Sequence, residues 1–148
     1  MKVVINACFG GFSLSRAAVK RLAELKGRPC FFFKHPVVNG RLDIDTHVRD
    51  DGNDNDSLFW VAFDDENPDK GHSKNVGEWN EWYRQHQIDN RPQDRTDPHL
   101  IQVVEELGES ANGRCAELRV VEIPDGVEWE IDEYDGNEHI AEKHRSWS

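Results

Sequence analysis

The sequence is poor in cysteine, in long apolar runs and in positive charge, and each shortage excludes a class of protein. Its 148 residues include three cysteines (Cys8, Cys30 and Cys115) and no Cys-x-x-Cys pair, so we expect reduced thiols rather than a disulfide framework. No apolar run approaches the ~20 residues of a membrane-spanning helix. With 29 acidic and 18 basic residues, the net charge of −11 and pI near 5.0 exclude an ordinary nucleic-acid binder. Met1 leads straight into a short apolar segment without secretory-signal features, so we expect a cytoplasmic protein.

The charge is unevenly distributed along the chain. Residues 50–69 and residues 122–138 each contain eight acidic residues and no lysine or arginine, and together they carry −16. The rest of the chain carries +5, and residues 1–49 alone carry +6. A polarised molecule of this kind can steer a charged partner. The alternative is that both acidic stretches are solvated faces that only keep the protein in solution.

The first third of the sequence predicts a βαβ unit. Residues 2–7 form a short β-branched run that is typical of a buried strand. Apolar residues then recur at helical spacing from Leu14 to Leu25, with Ser13 or Ser15 as the N-cap and Gly27 as the stop. Residues 30–33 predict a second strand, parallel to the first.

The remainder predicts an irregular acidic middle followed by a more regular C-terminal part. The expected elements are a hairpin turning at Asn39-Gly40, a strand at 58–63, a weak helix at 78–86, a helix from Asp97-Pro98 to Gly108, a strand at 116–123, a strand at 127–132 with alternating buried and acidic positions, and a short terminal helix with Ile140, His144 and Trp147 on its docking side. We expect the aromatic stripe of Trp79, Trp82 and Tyr83 to be core rather than interface. The predicted fold class is α/β, with α+β as the alternative, in a single compact domain over residues 1–148 with a flexible acidic insertion around 49–57.

Both ends of the chain resemble one family. The start, MKVVINACFGGFSLS, the stretch TDPHLIQVVEELGESANGRCAEL and the end, VVEIPDGVEWEIDEYDGNEHIAEKHRSW, are similar to small proteins encoded by tailed phages and prophages. The resemblance covers residues 1–27 and 96–147, about half the chain, and residues 30–95 depart from it. It implies expression in the cytoplasm of a bacterial host and an accessory role. Small acidic phage proteins often oppose host defences by mimicking DNA, masking a protein surface or capturing a nucleotide signal.

The glycine pair between the first strand and the first helix is the candidate ligand site. Two glycines let a backbone approach a ligand closely, and the N–H groups at a helix N-terminus favour anions. The candidate anion-binding residues are Cys8, Gly10, Gly11, Phe12, Ser13, Ser15 and Arg16. The loop matches neither a Walker motif nor G-x-G-x-x-G, and a tight strand-to-helix turn explains the glycines equally well.

Every catalytic or metal pattern tested against the sequence fails on spacing. Seven residues separate Cys8 from Arg16, whereas a low-molecular-weight phosphatase loop requires five. His139 and His144 are five positions apart and fall on different faces of a helix, which argues against zinc. The Asp-rich loop at 51–62 lacks the sixth-position glycine and the twelfth-position glutamate of a calcium loop. We therefore assign no catalytic residue, metal ligand or cofactor, and favour binding over catalysis.

Two functions are consistent with these features of the sequence. The first is a phage-type antagonist that binds a host defence factor, a protein rather than nucleic acid or membrane, through its acidic surfaces. Its candidate partner-binding residues are Asp50, Asp51, Asp54, Asp56, Asp64, Asp65 and Glu66, with the acidic stretch around 125–135 as a second surface. The second is a nucleotide- or phosphate-binding protein, a signal sponge or a small enzyme, that uses the Gly10-Gly11 loop.

Overall fold

The computed structural model describes residues 1–43, 46–50, 60–68 and 75–143. Within these ranges the fold contains three α-helices and ten short strands. The helices are α1 (Arg16–Leu25), α2 (Val76–His86) and α3 (Pro98–Leu107). The strands are β1 (Lys2–Asn6), β2 (Phe31–Lys34), β3 (Val37–Val38), β4 (Arg41–Leu42), β5 (Val48–Arg49), β6 (Val61–Phe63), β7 (Gln87–Ile88), β8 (Leu118–Glu122), β9 (Trp129–Tyr134) and β10 (Asn137–Glu142). The predicted mixture of helices and strands is confirmed.

The strands form four small sheets, and every pairing between the described strands is antiparallel. β1 pairs with β8, β9 with β10, β3 with β4, and a four-stranded sheet has the order β5-β2-β6-β7. The prediction of a parallel βαβ unit at the N-terminus is therefore wrong. Its strands and its helix exist, but β1 and β2 belong to different sheets, because each finds antiparallel partners elsewhere in the chain. The antiparallel pattern corresponds to the α+β alternative.

The chain divides into two compact units. The first unit comprises Met1–Leu22 with Asn90–Ser148, and the second comprises Ala23–Asp89. The one-domain assignment for residues 1–148 stays a prediction. Most of the acidic insertion expected around 49–57 lies outside the described residues.

The first unit is built on β1 and two capped helices. Ser15 is the N-cap of α1, since its Oγ accepts a hydrogen bond of 3.1 Å from the N–H of Ala18, and Gly27 takes a φ of +69° just after the helix. Asp97 caps α3, and Gly108 ends it with a φ of +56°. The sequence predictions for both helices are confirmed. α3 packs against β1, and the buried apolar residues of these elements are Val3, Val4, Ile5, Leu14, Ala18, Val19, Leu100, Val103 and Val104.

The C-terminal segment is a hairpin rather than a helix. Asp135 and Gly136 have φ values of +50° and +86°, which matches a two-residue turn whose twist suits antiparallel strands. The chain therefore returns as β10 alongside β9, and the predicted terminal helix is wrong across 137–142. Pairing with β9 overrides the local helical spacing, as tertiary context often does. The other two docking residues of that prediction, His144 and Trp147, lie outside the described residues.

The second unit has an aromatic core. Phe33 and Phe63 from the four-stranded sheet pack with Trp82 of α2, and Phe31, Val61, Trp79 and Tyr83 surround them. The prediction that the aromatic stripe of α2 is core is confirmed. Burial raises the pKa of the Tyr83 hydroxyl above its ordinary value of 10.0, because an ionised phenolate is poorly solvated there, and the charge of Asp89 adds to the rise.

Candidate functional site

The second edge of β1 is closed by the backbone of Arg95 and the side chain of Glu138 instead of a third strand. β8 pairs with one edge of β1 from Lys2 to Asn6. On the other edge, the N–H of Val4 donates to the carbonyl of Arg95 at 2.9 Å, and the N–H of Asn6 donates to Oε1 of Glu138 at 2.9 Å. Arg95 and Glu138 therefore satisfy backbone groups that a buried strand cannot leave unpaired.

Arg95 and Glu138 also pair with each other. Nη1 and Nη2 of Arg95 donate to the two carboxylate oxygens of Glu138 at 2.7 and 3.1 Å, and the two side chains are 16% and 9% exposed. The guanidinium carbon of Arg95 lies 3.6 Å from the centroid of the Phe12 ring, in cation–π geometry. A pair this well enclosed is costly to break, because removing one partner leaves the other charge buried.

Asn6 joins the glycine loop to the hairpin turn. Its side chain is fully buried; Nδ2 donates to the carbonyls of Cys8 at 2.8 Å and Gly136 at 2.7 Å, and Oδ1 accepts from the N–H of Glu117 at 2.8 Å. These bonds use both amide donors and the carbonyl. Sequence reasoning missed Asn6, although a lone polar residue at the end of the Val-Val-Ile run was a usable signal.

Gly10 of the loop and Gly136 of the hairpin turn permit close packing against neighbouring residues. Gly10 and Gly11 have φ values of +118° and +98°, in the region that favours glycine. A Cβ on Gly10 would lie 2.6 Å from Cβ of Cys115, and a Cβ on Gly136 would collide with the backbone of Gly11. The turn explanation of these glycines thus has direct geometric support.

The α1 end of the predicted anion site is occupied by internal hydrogen bonds. The N–H groups of Leu14 and Ser15 donate to the carbonyls of Asn90 and Ala111, each at 2.9 Å. Besides capping α1, Ser15 donates to the carbonyl of Ser110 at 2.6 Å. Because these groups already donate to backbone carbonyls, they do not face a ligand.

The other candidate residues of the anion site have different environments. The Oγ of Ser13 donates to the carbonyl of Arg114 at 3.3 Å, and the Arg16 side chain is buried. Cys8 is half-buried. Gly11 and Phe12 face a cleft, which has a volume of about 210 Å³ and is lined by Gly11, Phe12, Arg91, Arg95, Glu133, Gly136 and Glu138. Two arginines and two glutamates give this cleft mixed charge rather than the positive potential of a phosphate site.

The acidic candidates in the middle of the chain are partly structural. Asp64 accepts from Nη2 of Arg28 at 3.0 Å through one carboxylate oxygen, and the other lies 2.8 Å from Nδ1 of His86. The Asp65 carboxylate accepts from the N–H of Asn67 at 2.9 Å in a local turn. Asp50 is half-buried and Glu66 is exposed. The remaining three candidates, Asp51, Asp54 and Asp56, lie outside the described residues.

The β9–β10 hairpin has one half-buried face and one exposed acidic face. Trp129, Ile131 and Ile140 are half-buried, whereas Glu130 and Asp132 point to the exposed side. The predicted alternation of buried and acidic positions in this strand is confirmed. Nε2 of His139 lies 3.6 Å from Oδ2 of Asp132 across the hairpin on the exposed face.

An exposed aromatic pair lies at the turn end of this hairpin. Tyr134 is 77% exposed and Phe9 is 56% exposed, and their rings meet edge to face with centroids 6.4 Å apart. Exposed carboxylates of the same segment flank the pair, namely Asp132, Glu133 and Asp135. Large aromatic side chains held at a surface are typical of binding hot spots.

Two exposed ion pairs join α3 to α1 and β1. Arg21 donates to Glu106 at 3.0 Å, and this bond together with one from Gln102 lowers the pKa of the Glu106 carboxyl. Lys2 donates to Glu105 at 2.8 Å, which raises the pKa of the Lys2 ammonium. Exposed pairs of this kind contribute little to stability.

In the part of the chain that the structure describes, no group of three or more histidine, cysteine or acidic side chains is arranged to hold a metal ion. Over the same residues, the helices are too short or too polar for a bilayer crossing.

Comparison with known proteins returned no match to a family model, a curated protein or a solved structure.

Proposed function

We propose that this chain is a phage-type binding protein that antagonises a bacterial defence factor, and that it contacts a basic surface of that factor through the outer face of the β9–β10 hairpin. The observation that carries the proposal is the exposed Phe9–Tyr134 pair among carboxylates. Burying two aromatic rings supplies affinity, and the surrounding negative charge selects a basic partner and speeds its approach.

The position of the surface within the first unit supports its use in recognition. Asn6 and Glu138 fasten the hairpin to β1, so the exposed face is presented on a rigid support. A pre-organised surface loses less conformational entropy when it binds. The acidic residues of the middle provide a weaker case, because Asp64 is already engaged by Arg28 and His86.

The proposal is tested by capture and titration. The wild-type chain and a Phe9→Ala/Tyr134→Ala variant are each used to capture proteins from a bacterial lysate. Any protein held only by the wild type is purified and titrated by calorimetry at rising salt. We expect at least a tenfold weaker affinity for the variant and for Glu130→Gln/Asp132→Asn, and an affinity that falls as salt rises.

A matched control separates charge from position. Glu66→Gln/Glu109→Gln removes two charges from exposed positions that are not part of the hairpin. It should bind within about twofold of the wild type. Equal losses in both double-charge variants would show that net charge alone attracts the partner, and would remove the hairpin from the interface. If the captured protein is a defence factor, expression of the wild type but not of the aromatic variant should restore phage plating.

A small-molecule function has one supporting observation, the cleft beside Gly11 with Arg91 and Arg95 in its lining. Arg95 is neutralised by Glu138, and Glu133 adds negative charge, so a ligand there would have to carry both signs rather than phosphate alone. A thermal-shift screen with phosphate, mononucleotides and cyclic dinucleotides tests the hypothesis of an anion site at the Gly10-Gly11 loop. A ligand at a hundred times its Kd would add about 2.7 kcal/mol of stability.

A further inference from the structure

β9 has one strand neighbour among the described residues. It pairs with β10 over all six of its residues, and no described strand pairs with its other edge. The edge of a strand carries unpaired N–H and C=O groups, which are a template for another chain. The outer edge of β9 is therefore a place where a partner can add a strand.

The hairpin register identifies which backbone groups point outward. In a two-residue hairpin, the residues flanking the turn form a hydrogen-bonded pair, and such pairs alternate with non-hydrogen-bonded ones. Tyr134 and Asn137 flank this turn, and the N–H of Lys143 donates to the carbonyl of Glu128 at 2.9 Å, which fits the same alternation. The outward groups of β9 therefore belong to the non-hydrogen-bonded positions, Trp129, Ile131 and Glu133.

The side chains of β9 define what an added strand would carry. Its side chains alternate between the two faces of the sheet. On the exposed face they would lie beside Glu130, Asp132 and Tyr134, where lysine or arginine is favoured. On the other face they would lie beside Trp129, Ile131 and Glu133; apolar residues are favoured beside the half-buried Trp129 and Ile131, and Glu133 is exposed at the turn end.

We infer that the partner of the hairpin contributes an extended segment of alternating basic and apolar residues, which pairs with the outer edge of β9. The inference rests on the proposed function and specifies the form of its partner. A second copy of this chain is a poor occupant, because pairing β9 with β9 would bring rows of like carboxylates together, which is destabilising.

The test uses a defined peptide and a pair of variants. The probe is a fluorescent hexapeptide of alternating lysine and valine, and its Kd is measured by anisotropy. Ile131→Pro removes an outward N–H that β10 does not use, and Ile131→Ala removes a similar part of the side chain but keeps that N–H. We expect Ile131→Pro to bind at least tenfold more weakly than Ile131→Ala. Circular dichroism checks that both variants fold.

Two N-methylated peptides give a test that does not depend on the variants folding. One carries methyl groups on the amides of its lysines and the other on the amides of its valines. In an added strand, the N–H groups of alternate residues point toward β9, so either the lysine amides or the valine amides bond to it, but not both. We therefore expect one methylated peptide to lose at least tenfold in affinity and the other to bind within twofold of the parent peptide. Equal binding of both would overturn the inference.

The outcomes separate this inference from the proposed function. If the backbone changes have no effect while Glu130→Gln/Asp132→Asn and Tyr134→Ala weaken binding, strand addition is wrong and the hairpin surface stands. If none of these changes alters binding, both are wrong. If the wild type forms a dimer and Ile131→Pro dissociates it, a second copy of this chain occupies the edge of β9. That result would overturn the inference of a basic partner.

Discussion

Two acidic stretches with the same number of carboxylates differ in what those carboxylates do. In the described part of residues 50–69, Asp64 is held by Arg28 and His86, and Asp65 closes a local turn. In residues 122–138, most carboxylates are exposed, and Glu138 alone is enclosed in a pair with Arg95.

One run of acidic residues can therefore contain carboxylates that stabilise the fold together with carboxylates that are exposed to a partner. Asp64 and Glu138 are held by a cation or a backbone N–H that distant parts of the chain bring close, whereas the N–H that donates to Asp65 is two residues away. Glu138 lies 43 positions from Arg95 and 132 from Asn6, and Asp64 lies 36 from Arg28. Removing one charge from each kind of position and comparing the loss of stability therefore distinguishes the carboxylates that support the fold from the exposed ones.

The largest effect is expected at Glu138. Glu138→Gln keeps the shape of the side chain but leaves Arg95 without its carboxylate, and breaking a buried pair in this way costs about 3–5 kcal/mol of unfolding free energy. Urea denaturation measures the loss. Glu142→Gln, in the same strand but exposed, should change stability by less than about 0.5 kcal/mol. A loss below about 1 kcal/mol for Glu138→Gln would show that the pair is not structural.

Asp64 should show an intermediate effect. Asp64→Asn removes the charge from a half-exposed cluster with Arg28 and His86, so we expect a loss of about 1–2 kcal/mol. Glu66→Gln, two residues away and exposed, is the control and should be close to neutral. Thermal denaturation of both proteins decides the matter. Equal stability of the two variants would show that the carboxylate of Asp64 does not stabilise the fold.

The pH dependence of the second unit follows from Tyr83. Its folded-state pKa is raised above 10.0 by burial, so the associated stability is present below pH 10.0 and is lost as the pH rises through the folded pKa. The protein has two tyrosines, and Tyr134→Phe leaves Tyr83 as the reporter of tyrosinate absorbance. We expect its midpoint to lie above pH 10, accompanied by falling stability. A midpoint at or below pH 10 would contradict burial of the hydroxyl.

The smallest effect on stability is expected on the exposed face of the hairpin. Glu130→Gln/Asp132→Asn should change the free energy of unfolding by no more than about 0.5 kcal/mol, because both side chains are exposed. Removing like charges there can even stabilise the chain slightly. Chemical denaturation checks this, and a loss above 1 kcal/mol would mean that these acids support the fold rather than a partner.

Local elements were predictable because their signals are local. Ser15 and Asp97 begin helices, and the Asn39-Gly40 and Asp135-Gly136 pairs turn the chain through positive φ, as their sequences indicate. The pairing partner of each strand was not predictable. A β-branched run such as residues 2–6 fits a parallel or an antiparallel partner equally well, and the partner, β8, lies more than a hundred residues away.

The candidate site was only partly predictable for the same reason. The Gly10-Gly11 loop was singled out as a place where a ligand could approach the backbone closely, and in the structure the Asp135-Gly136 turn and Cys115 lie against it. Nothing in the local sequence marks Arg95 as the residue that closes the edge of β1. The alternation of apolar and acidic residues from Trp129 to Asp132 indicated the acidic face. The exposure of Tyr134 was not predictable, because it depends on the β9–β10 hairpin, and the sequence predicted a helix in place of β10.

The central claim, that the hairpin surface is the binding site, is tested most directly by NMR. The ¹⁵N-labelled chain is titrated with the alternating lysine–valine peptide, and amide shifts are followed residue by residue. The account predicts saturable changes concentrated at Ile131, Glu133 and Tyr134, with the amides of α2 unchanged. Changes centred on the cleft-lining Arg91 or on Asp64, or none at peptide concentrations that saturate binding by anisotropy, would contradict it.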